Sequence, residues 1–365
     1  MQHSIGKKGH RTKGVVAARK HFSPYLALLL VISLLLITSR TVSAQQHEAT
    51  ISNGVITATI HLPDSKNGFY RGTRFDWAGV IGSLEYAGHN YYGPWFTKTN
   101  PTVHDFTYDG PDIVAGAASS VTGPAEEYVT NGKALGFDEA APGGTFIKIG
   151  VGVLRRPDAA KYDPFRAYEI VDGGKWTVTT HPQSVEFTQQ VMDPATGYGY
   201  LYTKTVSLVP GQPQMLIEHS LKNIGKRTIE TSVYDHNFLV LDKQPIGPDF
   251  TVTLPFDIQP RRPIKPGIGA VEKNHITYLK QLANKDGFAT AFTGFGPTSK
   301  DYDITIENPK VGVGMNIKGD RPLESEELWS IRSILAMEPF IHMSIKPGET
   351  FPWKYTYRYY TLPQK

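Results

Sequence analysis

Hydrophobic residues recur at every second position in run after run of this chain. From Met215 to Lys222 one face carries Met215, Ile217, His219 and Leu221, and the other carries Leu216, Glu218, Ser220 and Lys222. Successive side chains of a strand point to opposite faces, so a period of two means extended chain with one face turned to a core. The runs are short and bounded by Gly, Pro, Asn and Asp, the residues that stacked antiparallel sheets use at their turns. Helical periodicity is hard to find after Gln45. The sequence therefore predicts an all-β chain, a large antiparallel β-sandwich. Asn223-Ile224-Gly225-Lys226 is a turn by composition, and the strands on either side, the second running from Thr228 to Phe238, are expected to form a hairpin. Ile331 to Glu338 and Phe351 to Tyr359 read as two more strands about the turn Lys346-Pro347-Gly348-Glu349. Phe351, Trp353, Tyr355, Tyr357 and Tyr359 share one face of the last strand, a stripe read as core rather than ligand platform.

The first 44 residues stand apart. Lys7, Lys8, Arg11, Lys13, Arg19 and Lys20 precede an apolar run from Leu26 to Ile37, short of the roughly 20 residues a membrane-spanning helix needs. Val42-Ser43-Ala44 then supplies the small residues that precede a signal-peptide cut. Residues 1–44 are expected to be a signal peptide removed near Ala44-Gln45, leaving a periplasmic or extracellular protein. Residues 45–365 read as a single domain, with no internal repeat and no Pro- or Ser-rich linker. The stiff, basic segment Pro260-Arg261-Arg262-Pro263-Ile264-Lys265-Pro266 is taken as a surface loop. The leader holds seven of the 38 basic residues and none of the 34 acidic ones, so 31 basic face 34 acidic residues in the remainder. That balance gives no basic face for nucleic acid or an anionic membrane, and both are rejected as partners. Cysteine is absent, which excludes disulfides, thiol catalysis and thiolate metal ligation.

Two constellations carry chemistry. Tyr234-Asp235-His236-Asn237-Phe238, with Asp242 beyond it, follows the Leu221-Lys222-Asn223-Ile224-Gly225 corner. Met337-Glu338-Pro339 precedes the Lys346-Pro347-Gly348-Glu349 turn and the aromatic strand. Together and in this order they resemble the galactose mutarotase (aldose 1-epimerase) superfamily. The resemblance implies the galactose mutarotase-like supersandwich, a sugar or oligosaccharide substrate, His236 as general acid, Glu338 as general base, and no cofactor. Anomer exchange needs one group to take the proton of the C1 hydroxyl and another to protonate the ring oxygen. An imidazole and a half-buried carboxyl tuned towards neutrality suit those roles. Glu338 lies in an apolar strand, where an unpaired carboxylate is costly, so it needs a partner or a cavity. The pair is expected to face each other across a pocket the size of a sugar ring.

Gly79-Val80-Ile81-Gly82-Ser83-Leu84 resembles an early strand pair of the same family, in which a nearby arginine contacts sugar hydroxyls. Arg71 and Arg74 are the candidates, beside Tyr70, Phe75 and Trp77; a salt bridge to Asp76 is the competing role for Arg74. Asp242, Glu127 and Trp77 complete the substrate-binding set. Glu126-Glu127 reads as a solvated loop, or else as part of a carboxylate floor beneath Glu338 or a Ca²⁺ site. Lys148, in the apolar stretch Thr145 to Gly150, must snorkel or meet an acid. The family's second histidine, in a His-Gly step, is missing; His89 and His104 stand in other contexts. Two further readings therefore stay open, because one architecture hosts unrelated functions. One is a polysaccharide lyase or glycoside hydrolase, with His236 and Tyr234 abstracting a proton next to a uronate. The other is a carbohydrate-binding protein without catalysis.

Overall fold

The computed structural model describes residues 47–363, with residues 1 and 9. The expected signal peptide and its cleavage site lie outside the described residues. Ten antiparallel strands form the larger sheet, in the order Lys175–His181, Ser184–Met192, Gly199–Leu208, Gln214–Asn223, Thr350–Thr361, Val313–Gly319, Asp303–Asn308, Thr251–Thr253, His275–Tyr278 and Gly269–Glu272. Six form a second sheet, in the order Gln259–Pro260, Gly287–Thr293, Ser325–Ile331, Ile334–Ile345, Ile229–Phe238 and Gly123–Val129. Alternation places the residues between the sheets. Met215, Ile217, His219 and Leu221 are buried, as are Trp353, Tyr355, Tyr357 and Tyr359, with Met337, Ile341 and Met343 from the six-stranded sheet. The aromatic stripe is core.

Gln214–Asn223 and Ile229–Phe238 are not the expected hairpin. The first pairs with Gly199–Leu208 and Thr350–Thr361 in the ten-stranded sheet, the second with Ile334–Ile345 and Gly123–Val129 in the six-stranded one. The turn exists, but it carries the chain from one layer to the other. Asn223 fixes this corner: its side-chain amide donates to the carbonyls of Arg227 and Ile345, and its Oδ1 accepts from the Gly225 N–H. Ile345 ends a strand of the opposite sheet, so a single side chain ties the two layers. The strand expected from Ile331 to Glu338 is likewise two strands, Ser325–Ile331 and Ile334–Ile345, joined by the tight turn at Arg332-Ser333. After Ile345 the chain changes layer again, and Thr350–Thr361 enters the larger sheet between Gln214–Asn223 and Val313–Gly319.

The interior also contains charge. Glu126 points between the sheets, where Lys204 donates to it and His219 Nε2 lies 2.7 Å from its Oε1. Lys204 also donates to the Ala78 carbonyl at 2.8 Å, and Tyr202 donates to Asp76 at 2.8 Å. Burial raises the Glu126 pKa, but Lys204 and His219 outweigh it and bring the carboxyl down to about 2. A buried carboxylate with these partners stays ionised.

Candidate active site

Strand register decides which residues meet. Tyr234 opposes Phe340 and Leu239 opposes Leu335, which puts His236 opposite Glu338. Glu338 opposes Glu327, Glu327 opposes Ala291, and on the other side His236 opposes Ala125. The five form one transverse row across the six-stranded sheet. Their chain neighbour Asp235 points the other way, into the sandwich, where the Tyr357 hydroxyl donates to it; the row therefore lies on the outer face. Phe75 and Trp95 pack against Phe238 on that face, so Tyr234 to Phe238 is buried on both sides. What these segments leave open is a pocket of about 300 Å³. His236, Glu338 and Glu327 line it from the sheet, with the aromatic side chains of Trp95, Phe165 and Trp329 and two arginines, Arg74 and Arg262.

His236 Nε2 lies 3.2 Å from Glu338 Oε1. The imidazole stacks on Phe238 with ring centres 3.7 Å apart, and Phe75 and Trp329 meet it edge-on. Its Nδ1 has no hydrogen-bond partner among the described residues. Burial, and after it the charge of Arg74, hold the His236 pKa well below the ordinary histidine value, so the ring is neutral. Burial pushes Glu338 up to about 8, with Arg74 opposing and Glu327 and Glu127 reinforcing the rise. At neutral pH the pair is therefore a carboxylic acid touching a neutral imidazole. The sequence led to the expectation of two groups separated by a sugar ring; the register instead makes them cross-strand neighbours, too close for a ring to pass between them.

Arg74 is held from behind. Its Nε donates to Glu127 Oε2 at 2.7 Å and its Nη2 to the Tyr234 hydroxyl at 2.9 Å, while that hydroxyl donates to Glu127. Lys148 donates to the other Glu127 oxygen and to the Tyr128 carbonyl, both at 2.9 Å. Burial raises the Glu127 pKa, but Lys148 and Arg74 outweigh it and bring it down to about 2. Glu127 is thus a fixed anion that aims Arg74, whose guanidinium lies over the Phe75 and Phe165 rings at 4.5 and 4.8 Å.

No family model and no curated relative matches this sequence. Solved structures do. A protein of Escherichia coli K12, provisionally assigned as an aldose 1-epimerase, is similar with a TM-score of 0.51 and 13% identity, over 86% of this chain and 99% of that one. The chain has the galactose mutarotase-like fold. A galactose mutarotase related enzyme of Lactobacillus acidophilus is similar at TM-score 0.49 and 14% identity, over 87% and 98% of the two chains. An aldose epimerase homologue of C. elegans is similar at 0.48 and 15%, over 86% and 99%.

Within this mutarotase-like frame the candidates separate. Glu338, His236 and Arg74 come together at the pocket, with Glu127 and Lys148 behind Arg74. Arg71 does not join them: it is exposed, donates to the Lys66 carbonyl at 2.8 Å and lines a different cleft with Phe69 and Phe96. Asp242 accepts from the Asn90 N–H at 2.8 Å and meets His89 at 2.6 Å beside another cavity. Trp77 is buried, its indole N–H donating to the Gly72 carbonyl. The Arg74–Asp76 salt bridge is not formed, because Asp76 belongs to the Lys204 cluster. Glu126-Glu127 is neither a solvated loop nor a joint floor: both lie in Gly123–Val129, and alternation sends one to each face. Among the described residues no group of three or more His, Asp or Glu side chains is arranged to hold a metal ion. The sequence did not single out Glu327, Trp329, Trp95 or Phe165, and it read Arg262 as part of a surface loop. Only for Glu327 and Trp329 was a signal available, since both share the period-two face of one strand.

Proposed function

We propose that this is an exported, carbohydrate-active isomerase that interconverts the anomers of a sugar, with His236 and Glu338 acting as one proton-sharing pair. The observation that carries the reading is the 3.2 Å contact between the Glu338 carboxyl and the His236 imidazole on one wall of a pocket of about 300 Å³; burial, which raises the carboxyl pKa and lowers that of the imidazole, favours the neutral form of both. The C1 hydroxyl and the ring oxygen hang on the same carbon, so a side-by-side acid and base reach both. His236 Nε2 takes the hydroxyl proton while Glu338 delivers its own to the ring oxygen. The bond from C1 to the ring oxygen breaks, leaving an open-chain aldehyde, imidazolium and carboxylate. Rotation about C1–C2 followed by the reverse transfers closes the ring in either hand and restores both groups. The protons balance without a cofactor.

This order reverses the roles implied by the family resemblance for ring opening: Glu338 starts as acid and His236 as base, and they exchange roles on closing. A positioned acid or base contributes on the order of 10² to 10⁴ in rate. Arg74, with Nε and Nη2 already donating to Glu127 and Tyr234, offers its Nη1 donors to hydroxyls, and Trp95, Phe165 and Trp329 supply apolar surface for the C–H faces of the ring. The test is NMR magnetisation exchange between sugar anomers with the purified protein. Glu338→Gln and His236→Gln are each expected to return exchange to the uncatalysed rate, and full activity in Glu338→Gln rules the mechanism out.

A further inference from the structure

We infer that the sugar taken by this pocket carries a carboxylate, as a uronic acid does, and that Arg262 docks it. The inference rests on the sugar-exchange reading above. Arg262 sits where the sheet edge meets the pocket. Gln259 and Pro260 pair with Thr293 and Phe292 as the outermost strand of the six-stranded sheet. Next, the Arg261 N–H donates to the Ala291 carbonyl at 2.8 Å, and Ala291 ends the row that contains His236, Glu338 and Glu327. The backbone beside Arg262 is therefore pinned to the site, and Pro260 and Pro263 stiffen it on either side.

The two pocket arginines differ in what already neutralises them. Arg74 is occupied by Glu127 and Tyr234. Arg262 is exposed, lines the pocket, and has no ion-pair partner among the described residues. A neutral sugar does not compensate an unpaired guanidinium for the water it gives up on docking. A carboxylate does, through two parallel hydrogen bonds to the guanidinium fork. Glu327 and Asp105 line the same pocket and repel a dianionic phosphate more than a singly charged carboxylate, which selects the uronate. A uronic acid keeps its hemiacetal, so the proton exchange at C1 is unchanged.

Binding decides this by calorimetric titration of the purified protein with glucuronate and galacturonate, the parent glucose and galactose, and the corresponding 6-phosphates. At least one uronate is expected to bind at least tenfold more tightly than its parent sugar, with the advantage shrinking as salt rises. Arg262→Ala is expected to remove that advantage, and Arg261→Ala, which removes the same charge outside the pocket, to keep it. No binding of either uronate, equal affinity for uronate and parent sugar, tighter binding of a phosphate, or an Arg262→Ala protein that keeps its uronate preference overturns the inference. Anomer exchange is read separately. Uronate binding without exchange refutes the isomerase and leaves the carboxylate site, whereas exchange of neutral sugars without uronate preference does the reverse.

Discussion

Replacing Glu338 by Gln is expected to make the protein more stable as well as inactive, and the gain is set by the proton the carboxyl keeps. Its pKa is pushed from the ordinary 4.5 up to about 8 in the folded protein. A carboxyl whose folded pKa is raised leaves stability intact below the unfolded value and erodes it as pH rises, because the unfolded chain ionises first. The loss runs at about 1.36 kcal/mol per pH unit between the two values. It reaches about 3 kcal/mol at pH 7 and nearly 5 kcal/mol above pH 8. Gln keeps the shape and the donor but cannot ionise, so the erosion disappears with it. Urea unfolding of both proteins at pH 4, 5, 6, 7 and 8 measures this. Coincident curves near pH 4, separating progressively in favour of Glu338→Gln, are expected. A gap that stays constant with pH, or a variant less stable at pH 8, refutes the linkage and with it the protonated carboxyl on which the proton-sharing pair depends.

Arg74→Gln takes one cation from the buried Glu127 and is expected to cost about 3–5 kcal/mol in urea unfolding. Because Arg74 also holds the Glu338 pKa down, the alkaline limb of the activity profile should move to higher pH in that variant; an unmoved limb separates Arg74 from the pair. Lys204→Met strips Glu126 and Asp76 of their cation and is expected to cost a similar 3–5 kcal/mol, checked by the same unfolding; a wild-type midpoint would show the cluster to be inert. Glu326 is buried and neither of its oxygens has a partner among the described residues, and burial raises its pKa well above the ordinary value. Glu326→Leu should therefore raise Tm, by more at pH 8 than at pH 5, and a lower Tm at pH 8 counts against a neutral Glu326. Tyr234 is bound between Glu127 and Arg74 and is not free to act as a base, so polyuronate incubated with the protein should give no unsaturated product absorbing in the ultraviolet.

What the sequence revealed and what it concealed divide along a physical line. Period-two alternation is local, so the all-β architecture and the aromatic core strand could be read directly. Pairing is not local. The Asn223 turn has the composition of a hairpin, yet its side chain finds the Ile345 carbonyl of the other sheet, a partner 122 residues away. The same gap explains the site. His236 and Glu338 were picked out by the company they keep along the chain, but their direct contact depends on a register that no local pattern encodes. Arg71 and Arg74 are three residues apart and chemically identical; only the fold sends one to Glu127 and the other to a different cleft. Arg262 looked like solvent-exposed loop because its role depends on which strand lies at the sheet edge.

The placement of Thr350–Thr361 has a consequence for how the protein is made. Nine of the ten strands in the larger layer precede it in the chain, yet it lies between two of them and hydrogen-bonds along both of its sides. Until that segment has been synthesised, Gln214–Asn223 and Val313–Gly319 each present an open edge with no lateral partner. The layer cannot be finished strand by strand as synthesis proceeds; it closes in one late event, and before that event the unfinished polypeptide is vulnerable to pairing with other chains.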